Sequence, residues 1–254
     1  MKLVPQIDDY FTLSNFKRIT DAFLGEFQRY TPVDDQKIKE ITHVGKLLMH
    51  FGPQANIEEV REKPDFIISI DNQRIGLEHT ELLNDNYKQS EGTIETIINE
   101  SEKLLLEEPN LPAQLITVQL NQFISMKAND KKGLIHEIID IVKQYITSGS
   151  VIENQIIDNI DSMEHDRFAL NVNQGGWWQD YVTKELLEKA ISKKESKIAN
   201  YIVNTGLSQW LLVVIGGKYQ SSYVIKEQFD FKIKTNFEKV YILEDLYTKL
   251  YEIK

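Results

Sequence analysis

Between residues 34 and 51 the apolar positions Ile38, Ile41, Val44, Leu47, Leu48 and Phe51 recur at three- and four-residue spacing, the period of a helix with one buried face. Thr31-Pro32-Val33-Asp34 ahead of it offers polar caps and a proline, and Gly52-Pro53 behind it stops the helix. The period then changes. Phe66-Ile67-Ile68-Ser69-Ile70 and residues 75–82 have the length and composition of strands, and Asp71-Asn72-Gln73 between them favours a tight turn, so together they predict a hairpin. Residues 56–62 fit either an edge strand or a helical turn. Residues 92–108, with Ile94, Ile97, Ile98, Leu104 and Leu105, read as a helix ended by Pro109-Asn110-Leu111-Pro112, and residues 115–120 alternate as a strand. Residues 134–146 and 152–160 read as helices, and 167–172 as a strand leading into Gly175-Gly176-Trp177-Trp178. A long helix follows over about 179–203, with Leu186, Leu187, Ala190, Ile191, Ile198 and Ile202 as its buried stripe. The unbroken apolar run from Trp210 to Ile215 predicts a strand covered on both faces. A last strand over 239–243 and a closing helix from Asp245 end the chain.

Helices alternating with strands predict a three-layer α/β domain in which helices flank a mixed central sheet. No repeat, low-complexity tract or linker breaks the chain, so residues 1–254 read as a single domain with an insertion around 84–178.

Composition narrows the function classes. No apolar run reaches the eighteen or so residues that a membrane-spanning helix needs, and Met1 to Tyr10 has neither an apolar signal core nor a small-residue cleavage site. The expectation is a cytoplasmic protein with no membrane partner. The absence of cysteine excludes disulfides, thiolate zinc sites and cysteine nucleophiles together. The formal net charge of −10, from 29 basic and 39 acidic residues, has the wrong sign for bulk attraction to nucleic acid. A local patch such as Lys193, Lys194 and Lys197 could still hold phosphates.

The informative segment is Lys63-Pro64-Asp65-Phe66-Ile67-Ile68-Ser69-Ile70 followed by Arg74-Ile75-Gly76-Leu77-Glu78-His79-Thr80-Glu81-Leu82. Asp65 opens one predicted strand and Glu78 lies inside the next, so a hairpin brings the two carboxylates together. Such a pair binds Mg²⁺ or Mn²⁺ through hard oxygen ligands, with the His79 carbonyl available as a third. Gly76 shares a strand face with Glu78, and a small residue beside an acid leaves room for a ligand.

At these residues the chain resembles the PD-(D/E)XK nuclease superfamily, in which an aspartate opening one strand and an acid-X-lysine triplet in the next form the metal and catalytic site. The stretches KPDFIISI, IGLEHTEL, ISKKESKIANY and WLLVVI also look like bacterial and mobile-element members. The likeness covers residues 40–215 in patches. It implies a restriction-endonuclease-like core, Asp65 and Glu78 as metal ligands, and Glu40 as the first-helix glutamate that often faces the metal. It also implies nucleic acid as substrate, DNA in preference to RNA, and a homodimer where both strands of a duplex are cut.

Thr80 departs from the pattern, standing where the family lysine belongs, and threonine supplies no cation to orient water or offset transition-state charge. Some superfamily members supply that lysine from the neighbouring helix. Here Lys194, Lys197 and Tyr201 share a helical face, with Lys197 narrowly preferred. Plainer roles stand beside these. Asp65 could cap a turn, Glu40 and the three lysines could be wet helix faces, His79 points away from Glu78 and could pack or hydrogen-bond, and the Gly-Gly-Trp-Trp run could be a hinge or core rather than a base-stacking platform. Two functions remain open: a Mg²⁺-dependent nuclease, or an inactive nuclease-like fold kept for binding or assembly.

Overall fold

The computed structural model describes residues 1–27, 32–121, 130–173, 178–226 and 232–254. The chain divides into two compact units, Met1–Asn84 with Gln179–Lys254, and Asp85–Trp178. In chain order the first unit begins with β1 (Lys2–Val4), a 3-10 turn at Asp8–Tyr10, α1 (Leu13–Leu24), α2 (Pro32–Met49), β2 (Asn56–Val60), β3 (Phe66–Ile70) and β4 (Gln73–Glu81). The second contributes α3 (Asp85–Leu105), β5 (Gln114–Leu120), α4 (Lys131–Ser148), β6 (Ile157–Glu164) and β7 (Ala169–Asn173). The first unit continues with β8 (Asp180–Tyr181), α5 (Lys184–Glu195), α6 (Ile198–Thr205), β9 (Gln209–Ile215), β10 (Tyr223–Val224), β11 (Lys239–Glu244) and β12 (Lys249–Glu252).

The first unit is α/β, built on a seven-stranded mixed sheet of order β1-β12-β11-β9-β4-β3-β2. β9 lies between β4 and β11 and runs parallel to both, while β2, β3 and β4 form an antiparallel meander on one side. All seven β9 residues are buried because side chains alternate between two cores. Trp210, Leu212 and Val214 join Ile41, Val44, Leu47 and Leu48 of α2. Leu211, Val213 and Ile215 join Leu187 and Ile191 of α5 and Ile198 of α6. Helices therefore cover both sheet faces, an arrangement compatible with the three layers expected. The β3–β4 hairpin turns on Asp71 and Asn72, both left-handed at φ 49° and 65°. Their short polar side chains tolerate that conformation, and a two-residue primed turn matches the twist of the strands.

The second unit packs α3 and α4 with a three-stranded sheet of order β6-β5-β7. Ile97, Ile98, Ile116, Val118, Ile138, Val142 and Ile160 lie in its buried core. The helix expected over 152–160 is a turn and a strand instead. Asn154 Oδ1 accepts hydrogen bonds from the N–H groups of Ile156 and Ile157, which turns the chain, and the β-branched Ile157 and Ile160 then enter the core from β6.

Two other expectations fail for local reasons. The long helix over 179–203 is in fact β8 followed by α5 and α6. Thr183 caps α5 by accepting from Leu186 N, and the chain breaks at Ser196-Lys197. The apolar period runs through that break because both helices pack into one core, although Ile202 is 48% exposed. In place of a closing helix, a turn with Thr248 at φ 50° leads into β12, which pairs with β11 and β1. β1 and α1 have no counterpart among the predicted elements, and residues 56–62 hold the strand β2. Thr31, Gly175, Gly176 and Trp177 lie outside the described residues. Among the described residues, no helix is long and apolar enough to cross a membrane.

Candidate metal and catalytic site

Asp65 precedes β3 and follows a cis Lys63–Pro64 peptide. Phe66 pairs with Leu77, so the next residue of β4 on that side, His79, finds no strand partner, because the pairing ends at Phe66. Asp65 takes its place, with Oδ2 accepting from His79 N–H at 2.9 Å. A strand residue's N–H and C=O point to the same side, so the His79 carbonyl is aimed beside Asp65 as well.

Glu78 lies inside β4 and is buried at 3% exposure. A carboxylate so placed is costly unless it is paired. Two helices supply partners, and both reach the same oxygen. Lys194 Nζ, from the last turn of α5, lies 2.7 Å from Glu78 Oε1, and the Tyr201 hydroxyl of α6 donates to Oε1 at 2.9 Å. Lys194 Nζ is also 3.9 Å from Asp65 Oδ2. Glu78 Oε2 is buried with no hydrogen-bond partner. Asp65, Glu78, Lys194 and Tyr201 thus converge. Burial first, and then the charge of Glu78, raise Asp65 from an ordinary 3.8 to about 6, against the His79 N–H and Lys194, which pull it down. Burial, then the hydrogen bond to Glu78, raises Tyr201, so its hydroxyl keeps its proton as a donor.

Of the two lysines on the predicted helical face, Lys194 reaches the carboxylates. Lys197 caps the start of α6 and is exposed, as is Lys193. The break at Ser196-Lys197 separates residues that one continuous helix would align. The room expected beside Glu78 at Gly76 is filled by Gln209 of β9, whose amide occupies the volume of an added Cβ. Thr80 is half-buried on the Glu78 face.

Glu40, at 7% exposure, accepts from Gln36 Nε2 and Lys37 Nζ of its own helix. The His79 side chain points to the α2 face, with Nε2 3.0 Å from His43 Nδ1. His43 Nε2 lies 3.6 Å from Asp245 Oδ1, which Lys46 also holds at 2.6 Å. Burial lowers both imidazoles, His79 far below its usual range, so the pair is neutral and structural. The strand alternation of His79 was readable from sequence, but nothing in the local pattern singled out His43 or Asp245 as its partners. Tyr201 carried a signal through its helical spacing from Lys194.

Among the described residues, no three histidine, aspartate or glutamate side chains group as a metal centre. What Asp65 and Glu78 offer is a carboxylate pair beside a backbone carbonyl. A cavity of about 360 Å³ lined by Lys184, Glu188, Ile191, Ser192, Lys232, Ile233 and Lys234 contains none of these residues. No family model, curated protein or solved structure matches the chain.

Tyr201→Phe removes one donor from a buried carboxylate and should cost about 1.5–3 kcal/mol. Denaturant unfolding at neutral pH measures it; a loss below about 0.5 kcal/mol would mean that the hydroxyl does not hold Glu78.

Proposed function

We propose that this chain is a divalent-metal-dependent nuclease of the PD-(D/E)XK kind, acting on DNA in preference to RNA. One observation carries the reading: Lys194 and Tyr201 both engage Glu78 Oε1, leaving Oε2 buried and unpartnered, and the same Lys194 Nζ lies 3.9 Å from Asp65 Oδ2. A buried carboxylate oxygen without a partner is expensive, and a cation is the ligand that such an oxygen suits. The chain order of α2, the β2–β3–β4 meander, α5 with α6, and β9 parallel to β4 supports a restriction-endonuclease-like core.

Asp65, Glu78 and the His79 carbonyl would hold the ion. When bound, Mg²⁺ lowers the pKa of a coordinated water and neutralises charge on the scissile phosphate. Lys194 supplies the positive charge that Thr80 cannot, and its hold on both carboxylates keeps it beside the reacting phosphate. Tyr201 fixes Glu78 so that Oε2 keeps its direction. The His79 N–H does the same for Asp65.

The net charge of −10 weighs less against this reading than it does over the whole chain. Residues 85–178 carry 15 acidic and 7 basic residues, net −8, while the remainder carries 24 and 22, net −2. Residues around the carboxylates therefore belong to a nearly neutral unit.

Incubation of the protein with duplex DNA and Mg²⁺ or Mn²⁺ should give cleavage that chelation stops. Full cleavage by an Asp65→Ala/Glu78→Ala double variant would overturn the reading. Thr80 favours the second reading, an inactive binding or assembly module. Calorimetry separates the two, since Mn²⁺ uptake that depends on Glu78 counts against the inactive module.

A further inference from the structure

Glu40 is the acid that the family pattern assigns to the metal, yet both of its oxygens are engaged within α2. Oε1 accepts from Gln36 Nε2 at 3.0 Å, and Oε2 from Lys37 Nζ at 2.9 Å. This is not a solvated i,i+3 pair of the ordinary surface kind, since the side chains are only 9% and 18% exposed. Lys37 Nζ also lies 5.9 Å from the ring centroid of Phe66, the residue directly after Asp65. The ammonium is thus drawn towards the start of β3 from α2, whereas Lys194 approaches from α5 on the other face of the sheet. Burial works against its charge, but Glu40, Asp65 and Glu62 outweigh burial and raise its pKa, so Lys37 stays protonated. An ammonium has three donors, and Glu40 uses one.

We infer that Lys37 is a second phosphate-contacting cation of this site, and that Glu40 positions it instead of ligating metal. The inference rests on the nuclease reading above and gives that reading a two-sided grip on the substrate backbone. Lys194 neutralises charge from the α5 side and Lys37 from the α2 side, which offsets the missing lysine at Thr80 twice over. Glu40 sets where Lys37 stands, with the ammonium over the Phe66 ring.

Two measurements test it: Mn²⁺ binding by calorimetry, and binding of a labelled DNA duplex across a salt series with Ca²⁺ in place of Mg²⁺. Lys37→Met should bind Mn²⁺ at least as tightly as the parent protein, because a neighbouring cation is gone. Its duplex affinity should fall roughly tenfold, and the slope of log affinity against log salt should drop by about one. Lys37→Arg should recover most of the duplex affinity. Glu40→Gln should keep Mn²⁺ binding within about twofold and weaken duplex binding as Lys37→Met does. Loss of Mn²⁺ binding in Glu40→Gln would make Glu40 a ligand and overturn the inference, as would an unchanged duplex affinity and salt slope in Lys37→Met. If the unaltered protein takes up neither Mn²⁺ nor duplex, the nuclease reading itself fails, and this inference fails with it; that outcome is visible before any variant is made.

Discussion

Lys194→Met should lower the melting temperature by about 6–20 °C. The substitution keeps the aliphatic stem but strips the buried Glu78 carboxylate of the cation 2.7 Å from its Oε1. Breaking a buried pair from one side costs about 3–5 kcal/mol, because the remaining charge is uncompensated. In a protein of this size each kcal/mol moves the melting temperature by about 2–4 °C. Removing the charge from both sides should recover much of the loss, so Lys194→Met/Glu78→Gln should melt above Lys194→Met alone. Such a cycle also separates the pair from general packing at α5. A melting temperature within about 2 °C of the parent would mean that Lys194 does not sustain Glu78. The surface ion pairs of this chain predict no comparable effect. Arg74 with Glu58 and Glu59 is half exposed, and pairs of that kind contribute about 0–1 kcal/mol.

Asp65→Asn should move stability and activity in opposite directions. The folded protein holds the Asp65 proton more tightly than the unfolded chain does, with a pKa of about 6 against 3.8. A raised folded pKa contributes stability that is fully present below pH 4 and lost as pH rises through 6. At pH 7 and above, the ionised Asp65 is therefore a liability of roughly 3 kcal/mol at most, from about two units at 1.36 kcal/mol each. Asparagine can still accept from the His79 N–H but never ionises. The variant should match the parent near pH 4, exceed its stability above pH 7, and lose the slope between. If the proposed nuclease reading holds, metal-dependent cleavage should fall by about a thousandfold, because a neutral amide is a poor ligand for a hard dication. Stability–pH curves by denaturant unfolding, with cleavage assays on the same samples, check both halves. An asparagine variant less stable than the parent at pH 8 would sink the account of Asp65 as a strained, buried acid.

Elements with a clean period and local punctuation could be read from the chain itself. α2 carries its apolar stripe between a proline and a glycine, the β3–β4 hairpin announces its turn with Asp71-Asn72, and β9 is apolar throughout because both faces are covered. Elements decided by neighbours were obscure. Ile157 and Ile160 sit three apart, which suits a helix face as well as a strand beginning with a bulge, and only pairing with β5 selects the strand. Likewise α5 and α6 share one core, so their stripe reads as continuous although Ser196 and Lys197 interrupt the helix. The acids of the candidate site were found because a hairpin fixes their separation in sequence. The choice between Lys194 and Lys197 was not legible, since it depends on a helix break that leaves the hydrophobic period intact. Lys37 escaped notice for another reason: a lysine three residues before a glutamate on a helix usually signals a solvated pair, and only its burial and the nearby Phe66 ring mark it out.

The Asn84 side chain donates to Asp180 Oδ2 at 3.5 Å, and Leu83 bridges Ser222 nearby. The polypeptide therefore leaves the first unit and returns to it at almost one point. Seen as a path, the seven-stranded sheet with its two helical layers is built wholly from residues before Asp85 and after Trp178, so the intervening residues enter the sequence as one uninterrupted block. Its replacement by a few glycines and serines would shorten a detour without lengthening any other connection. Domain exchange between related chains could proceed at that same junction, with the carboxylates and their lysines carried over unbroken.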